Sequence, residues 1–155
     1  MVDIAQIGYR HPPHSVDVER GRLLFFARTI GETHPIFIDD EAAAAAGLPG
    51  LAAPPTYAFS LELDQPKPFA VLEALGVRLD RVLHGTQRFI YHVPICAGDR
   101  ITLQSVVEDI YEKKDGAMAF IVMRTTATNQ RGEIAVEMTK TVVVRQPGSG
   151  LRRRQ

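Results

Sequence analysis

Apolar residues in the first half of the chain recur at helical spacing, and in the second half they alternate with polar ones. Leu23, Phe26, Ala27 and Ile30 share one face of a helix that stops at Gly31. Ahead of it, Val16 and Val18 alternate with polar neighbours and predict a short strand. Asp39 or Asp40 carries the short oxygen-bearing side chain that caps a helix through Glu41–Ala46, and Gly47 supplies its stop. Pro54 and Pro55 open the segment Thr56–Leu63, where Tyr57, Phe59, Leu61 and Leu63 put apolar surface on more than one side. Proline suits the first turn of a helix, and a helix apolar all round is a buried one. A further helical piece, Phe69–Leu75, ends at Gly76.

From Val82 onward the period changes to two, and strand candidates follow one another with turn residues between them. They span Val82–Val93, Arg100–Lys113, Ala117–Thr128 and Glu133–Arg145. Pro94 with Ala97-Gly98-Asp99, then Lys114-Asp115-Gly116, then Asn129–Gly132 separate them, and the pattern predicts an antiparallel meander. A long sheet with one apolar face needs a cover, and the proline-opened helix is the element apolar enough to provide it. The class is α+β, a long antiparallel sheet wrapped around a central helix.

Composition narrows the function classes. A chain of 155 residues with 45% hydrophobic content suits one domain, expected over residues 1–147, with 148–155 as a flexible basic tail. The 18 basic and 18 acidic residues cancel, so no global field draws the chain to nucleic acid or an anionic membrane. Cys96, the single cysteine, allows no internal disulfide framework, and no stretch has the length and apolarity of a signal peptide or membrane span. A cytoplasmic location is the expectation. No metal-spaced histidine pair, glycine-rich phosphate loop or nucleophile elbow occurs, so neither a metal nor another cofactor is expected.

The segment Gly31-Glu32-Thr33-His34-Pro35-Ile36-Phe37-Ile38-Asp39 after a helix, then the proline-opened helix and long strands, resembles the MaoC-like family of enoyl-thioester hydratases and hydroxyacyl dehydratases. Within it the chain is most similar to the N-terminal-type branch, which includes the dehydratase subunits of mycobacterial fatty-acid elongation. Ala53-Pro54-Pro55-Thr56, Leu83-His84-Gly85 with Gln87, and Tyr111-Glu112-Lys113 carry that likeness over almost the whole length. The resemblance implies a hot-dog fold, an acyl thioester of coenzyme A or acyl carrier protein as ligand, and a homodimer or higher homo-oligomer. It also admits pairing with a homologous catalytic subunit.

In the family's hydratases a Gly-Asp-x-Asn-Pro-x-His-x-Asp pattern sets an aspartate and a histidine around one water. The reaction moves one proton from that water and another to the α-carbon, so two tunable proton carriers are needed. The resemblance puts Gly31, Pro35 and Asp39 on matching positions, with Glu32 in place of the aspartate, His34 in place of the asparagine and Phe37 in place of the histidine. Phenylalanine carries no proton. The candidate catalytic set is therefore Glu32, His84 and His34, against the plainer reading of a solvated carboxylate and two histidines that brace a loop or interface. Substrate-binding candidates are Thr56 and Tyr57, whose N–H groups at a helix start would polarise the thioester carbonyl, with Phe37, Gln87 and Arg88. Gly85 leaves room for close approach beside His84. Arg81, Arg88 and Arg152–Arg154 are weaker candidates for coenzyme A phosphates.

The leading expectation is reversible hydration of an enoyl thioester, with Glu32 and a histidine acting across a dimer interface. Phe37 favours a second reading, a non-catalytic acyl-binding subunit of a heteromeric dehydratase. A hot-dog thioesterase is a third.

Overall fold

The computed structural model describes residues 2–146, and the basic segment from 148 with Arg152–Arg154 lies outside them. Strand β1 (His14–Asp17) leads into helix α1 (Arg20–Thr29), followed by α2 (Asp40–Ala45), α3 (Tyr57–Leu63) and α4 (Ala70–Ala74). Strands β2 (Val82–Tyr91), β3 (Arg100–Lys113), β4 (Met118–Thr128) and β5 (Ile134–Arg145) complete the chain. Asp39, not Asp40, caps α2: its carboxylate accepts the Ala42 N–H at 2.8 Å, while Asp40 pairs with Arg20. Ile30, expected on the buried face of α1, is 51% exposed, because the helix ends at Thr29 and turns away at Gly31 with φ 71°.

The strands form one antiparallel sheet in the order β1-β3-β4-β5-β2. A simple meander would place β2 beside β3, and here β2 pairs with β5 at the far edge instead. The cause lies in the connection. Pro94 offers no N–H to a ladder, and the buried Asp99 carboxylate holds the Cys96 N–H at 2.8 Å in a tight turn. Ala52 bridges to Cys96, so the segment after β2 leaves the sheet before β3 begins.

β3 and β4 alternate buried and half-buried positions along most of their length, as strands with one covered face do. The cover over half of that face is α3. Its Tyr57, Ala58 and Leu61 pack with Leu23, Ile101, Leu103, Val136 and Met138. Full burial of a side chain such as Leu103 contributes about 1.5–3 kcal/mol relative to exposure. The other half is covered by Val71, Leu72 and Leu75 of the α4 region over Val107, Ile121 and Met123. Two positions on α3 depart from the sequence pattern. Leu63 is 37% exposed, and Glu62 is buried at 3%.

Candidate functional site

The start of α3 is strained. Thr56 has φ 73°, a left-handed conformation that is rare for a β-branched residue and costs about 1–2 kcal/mol. Its N–H donates to the Tyr91 hydroxyl at 2.9 Å, which ties the helix start to the end of β2. The next N–H, of Tyr57, donates to the Pro54 carbonyl at 3.1 Å. Both helix-start donors anticipated for a thioester carbonyl are thus already engaged within the chain. The Tyr57 ring is buried edge-on to Phe26 at 5.1 Å, and burial pushes its phenol pKa up.

Beside this helix start lies a cavity of about 480 Å³, lined by Ile36, Phe37, Pro54, Ala58, Tyr91 and His92 among others. Its wall is mainly apolar. Phe37 contributes to that wall from the loop after α1, where a proton-carrying histidine was sought. Besides Tyr91 with its hydroxyl, the polar side chain in the wall is His92, whose Nε2 lies 3.0 Å from Glu137 Oε2; Arg124 Nη1 stands 3.6 Å from the same carboxylate. No sequence motif marks His92. Its pairing with Glu137 depends on the β2–β5 neighbourhood, which local pattern does not reveal.

Glu32 and His34 do not line this cavity. The Glu32 carboxylate accepts the N–H groups of Thr33 and His34, each at 2.8 Å. His34 Nδ1 accepts the Ile36 N–H at 3.4 Å, and its ring stands edge-on to Phe37 at 5.8 Å. These contacts staple the Gly31–Phe37 turn and hold the Phe37 ring in place.

His84 borders a different space. It stands edge-on to Phe59 at 5.3 Å and lines a cavity of about 130 Å³ with Phe59, Leu72, Met123, Lys140 and Val142. Gly85 fills a bulge between His84 and Thr86, where an added Cβ would lie 2.9 Å from the Thr141 carbonyl oxygen. The close approach expected of Gly85 is therefore to β5. Gln87 lies opposite Lys140 in the ladder, and Arg88, on the other face, is exposed. Next to them is a polar cluster that no motif announced. Glu62 Oε1 on α3 accepts from Thr125 Oγ1 at 2.8 Å and from Lys140 Nζ at 2.5 Å, with Ser105 Oγ at 3.5 Å. One carboxylate thereby joins the helix to β3, β4 and β5. Of the candidate residues, Phe37, Thr56 and Tyr57 gather around the helix start and His84 and Gln87 lie on β2 near Lys140, while Glu32 and His34 brace their own turn and Arg88 is exposed.

Among the described residues no three His, Cys, Asp or Glu side chains are grouped to hold a metal ion, and no helix is long and apolar enough to cross a membrane.

Comparison with known proteins adds sequence and structural relatives. Residues 5–138 match the model of a family described as FAS1-like, dehydratase domain region. A UPF0336 protein of Saccharopolyspora erythraea is 36% identical over 145 residues, covering 93% of this chain and 92% of the relative. A chain of the HadBC (3R-hydroxyacyl-ACP dehydratase) complex from Mycobacterium tuberculosis superposes with a TM-score of 0.73 at 29% identity, covering 91% of this chain and 97% of that one. The MaoC-like dehydratase from Rhodospirillum rubrum superposes with a TM-score of 0.69 at 25% identity, covering 91% and 94%.

Proposed function

Because this chain belongs to the family of FAS1-like dehydratase regions and has the MaoC-like hot-dog fold, we propose that it serves the reversible hydration and dehydration of enoyl and 3-hydroxyacyl thioesters as the subunit that holds the acyl chain. Residues 1–147 would act as one domain. Carrying this reading is Phe37: a side chain without a proton lines the apolar cavity at the loop position that matches the hydratases' histidine. Dehydration requires one group to remove the α-proton and another to protonate the departing hydroxyl. Glu32 has the chemistry for one of these steps, but its carboxylate already accepts two backbone N–H groups of its own loop. An intact carboxylate–histidine pair would then come from a homologous partner, and the HadBC complex is a heteromeric precedent among its structural relatives. This chain's contribution is an apolar chamber, a rigid loop behind it and one margin of a shared sheet.

A second reading has its own support. His92, hydrogen-bonded to Glu137, lines the same cavity and is a proton carrier of the type the reaction uses. In that case the chain is a hydratase by itself, with His92 and its partner Glu137 moving the protons, or with Glu32 and His84 brought together across a dimer interface. Enoyl-thioester absorbance separates the two. The purified chain is assayed alone and with its homologous partner, followed by Glu32→Gln, His84→Ala and His92→Ala. The acyl-holding reading expects turnover only with the partner present. Turnover by the chain alone, abolished by one of these substitutions with folding intact, would replace it with the second. Release of coenzyme A thiol in the same assay would point to a thioesterase instead.

A further inference from the structure

Tyr91 ties the end of β2 to the start of α3, and that tie uses only half of what its hydroxyl offers. The Thr56 N–H donates to the Tyr91 hydroxyl oxygen at 2.9 Å. A phenol accepts through its oxygen and donates through its O–H, so the hydroxyl proton is not spent in this bond. An oxygen that receives an N–H is also a stronger O–H donor, because successive hydrogen bonds polarise one another. The hydroxyl stands at the margin of the apolar cavity of about 480 Å³. Thr56 N is bonded to the carbonyl carbon of Pro55, and Pro54, Pro55 and Tyr91 all belong to the cavity wall. With Tyr91 52% exposed, this part of the wall is where the cavity meets its surroundings. The ring stacks nearly parallel on Phe89 at 5.9 Å, which limits its swing and holds the hydroxyl at that margin.

His92, the other polar side chain in the wall, is not an equivalent donor. Its Nε2 lies 3.0 Å from the Glu137 carboxylate, which only accepts, so the neutral ring spends its single N–H there and presents Nδ1 as an acceptor. The remaining wall side chains are alanine, valine, leucine, isoleucine, phenylalanine and proline. An acyl thioester is hydrocarbon along its chain, an acceptor at its carbonyl and polar again in its carrier. The wall runs in the same order, with hydrocarbon inside and one side-chain donor at the margin. We propose that the Tyr91 hydroxyl, backed by the Thr56 N–H, donates to the thioester carbonyl. Tyr91 is thereby a substrate-positioning residue that sets how deep an acyl chain enters the cavity.

This proposal rests on the reading that the chain holds an acyl group, and the test separates the two. Calorimetric titration, with the homologous partner included if it co-purifies, compares octanoyl-coenzyme A with S-octyl-coenzyme A, a thioether of the same length that lacks the carbonyl. The parent is expected to bind the thioester about fivefold tighter than the thioether. Tyr91→Phe, which keeps the ring on Phe89, is expected to bind the two alike. In isotope-edited infrared spectra the bound carbonyl stretch is expected at lower frequency in the parent than in the variant, a shift that a mere brace for α3 would not cause. Equal binding of both ligands by the parent refutes the anchor while the acyl-holding reading stands. That comparison needs no variant, so a folding defect in Tyr91→Phe does not blunt it. A thioester preference kept in Tyr91→Phe assigns the carbonyl to another donor and overturns the proposal. If neither ligand binds, both fall.

Discussion

Replacing Lys140 by methionine tests how much of the fold depends on the ion pair beneath α3. The Glu62 side chain is 4% exposed and that of Lys140 is 12% exposed. Removing the ammonium leaves a carboxylate in the core with the Thr125 and Ser105 hydroxyls as its only donors among the described residues. Breaking a buried pair at one end costs about 3–5 kcal/mol. Water reaches the Lys140 end more easily than the Glu62 end, so the low end of that range, about 3 kcal/mol, is the expected loss. For a protein of this size that lowers Tm by about 6–12 °C. The double variant Glu62→Leu, Lys140→Met removes both charges, and apolar replacements of similar volume are often neutral or stabilising. It is expected within about 1 kcal/mol of the parent. Urea unfolding at fixed protein concentration measures all three proteins, with the m-value as a check that the unfolded reference is unchanged. A loss below about 1 kcal/mol for Lys140→Met, or a double variant no better than the single one, would show that the pair behaves as a solvated surface contact and refute the reasoning.

Two further predictions concern the bulge and the buried thiol. Gly85→Ala puts a Cβ 2.9 Å from the Thr141 carbonyl oxygen, a backbone atom with little freedom to retreat; a loss of about 1–3 kcal/mol is expected, and an unchanged melting curve would mean that the bulge yields. Cys96 is 2% exposed, and burial, aided by the Asp99 charge, pushes its thiol pKa up. Above about pH 8.5 the unfolded chain loses this proton while the folded chain keeps it, so the contribution falls as pH rises through that range. Chemical unfolding at pH 8 and 10 should show the decline, and rapid labelling of Cys96 in the native protein would contradict it.

Strands and helix ends were legible where local chemistry decides them. Lys114, Asp115 and Gly116 all adopt positive φ, and the hairpin falls where those residue types announced it. Bounds of β3 were readable for the same reason, since turn residues flank it on both sides. The placement of β2 was not. Its partner β5 follows it by a long stretch of chain, and hydrophobic alternation is blind to which strand lies alongside. Glu62 was hidden by its own neighbourhood: between Leu61 and Leu63 it reads as a polar interruption, and its partner Lys140 is 78 positions away. His92 and Glu137, 45 positions apart, were hidden in the same way. At Glu32 a local signal was available, because an acid directly after a helix-ending glycine is placed to accept the next free N–H groups.

The ten residues of β2 have a ladder partner on one side only, and Leu83, Ile90 and Tyr91 are exposed along them. Such a margin will accept other extended chains besides the right one. Copies made beyond the supply of whatever completes the sheet would carry an open template into a crowded cell, where chaperones, proteases or aggregates compete for them. Under the proposed pairing with a homologous subunit, the strand links the amount of this protein that survives to the ratio in which the two chains are synthesised. Overexpression in isolation would then yield insoluble material from a sequence whose fold is sound.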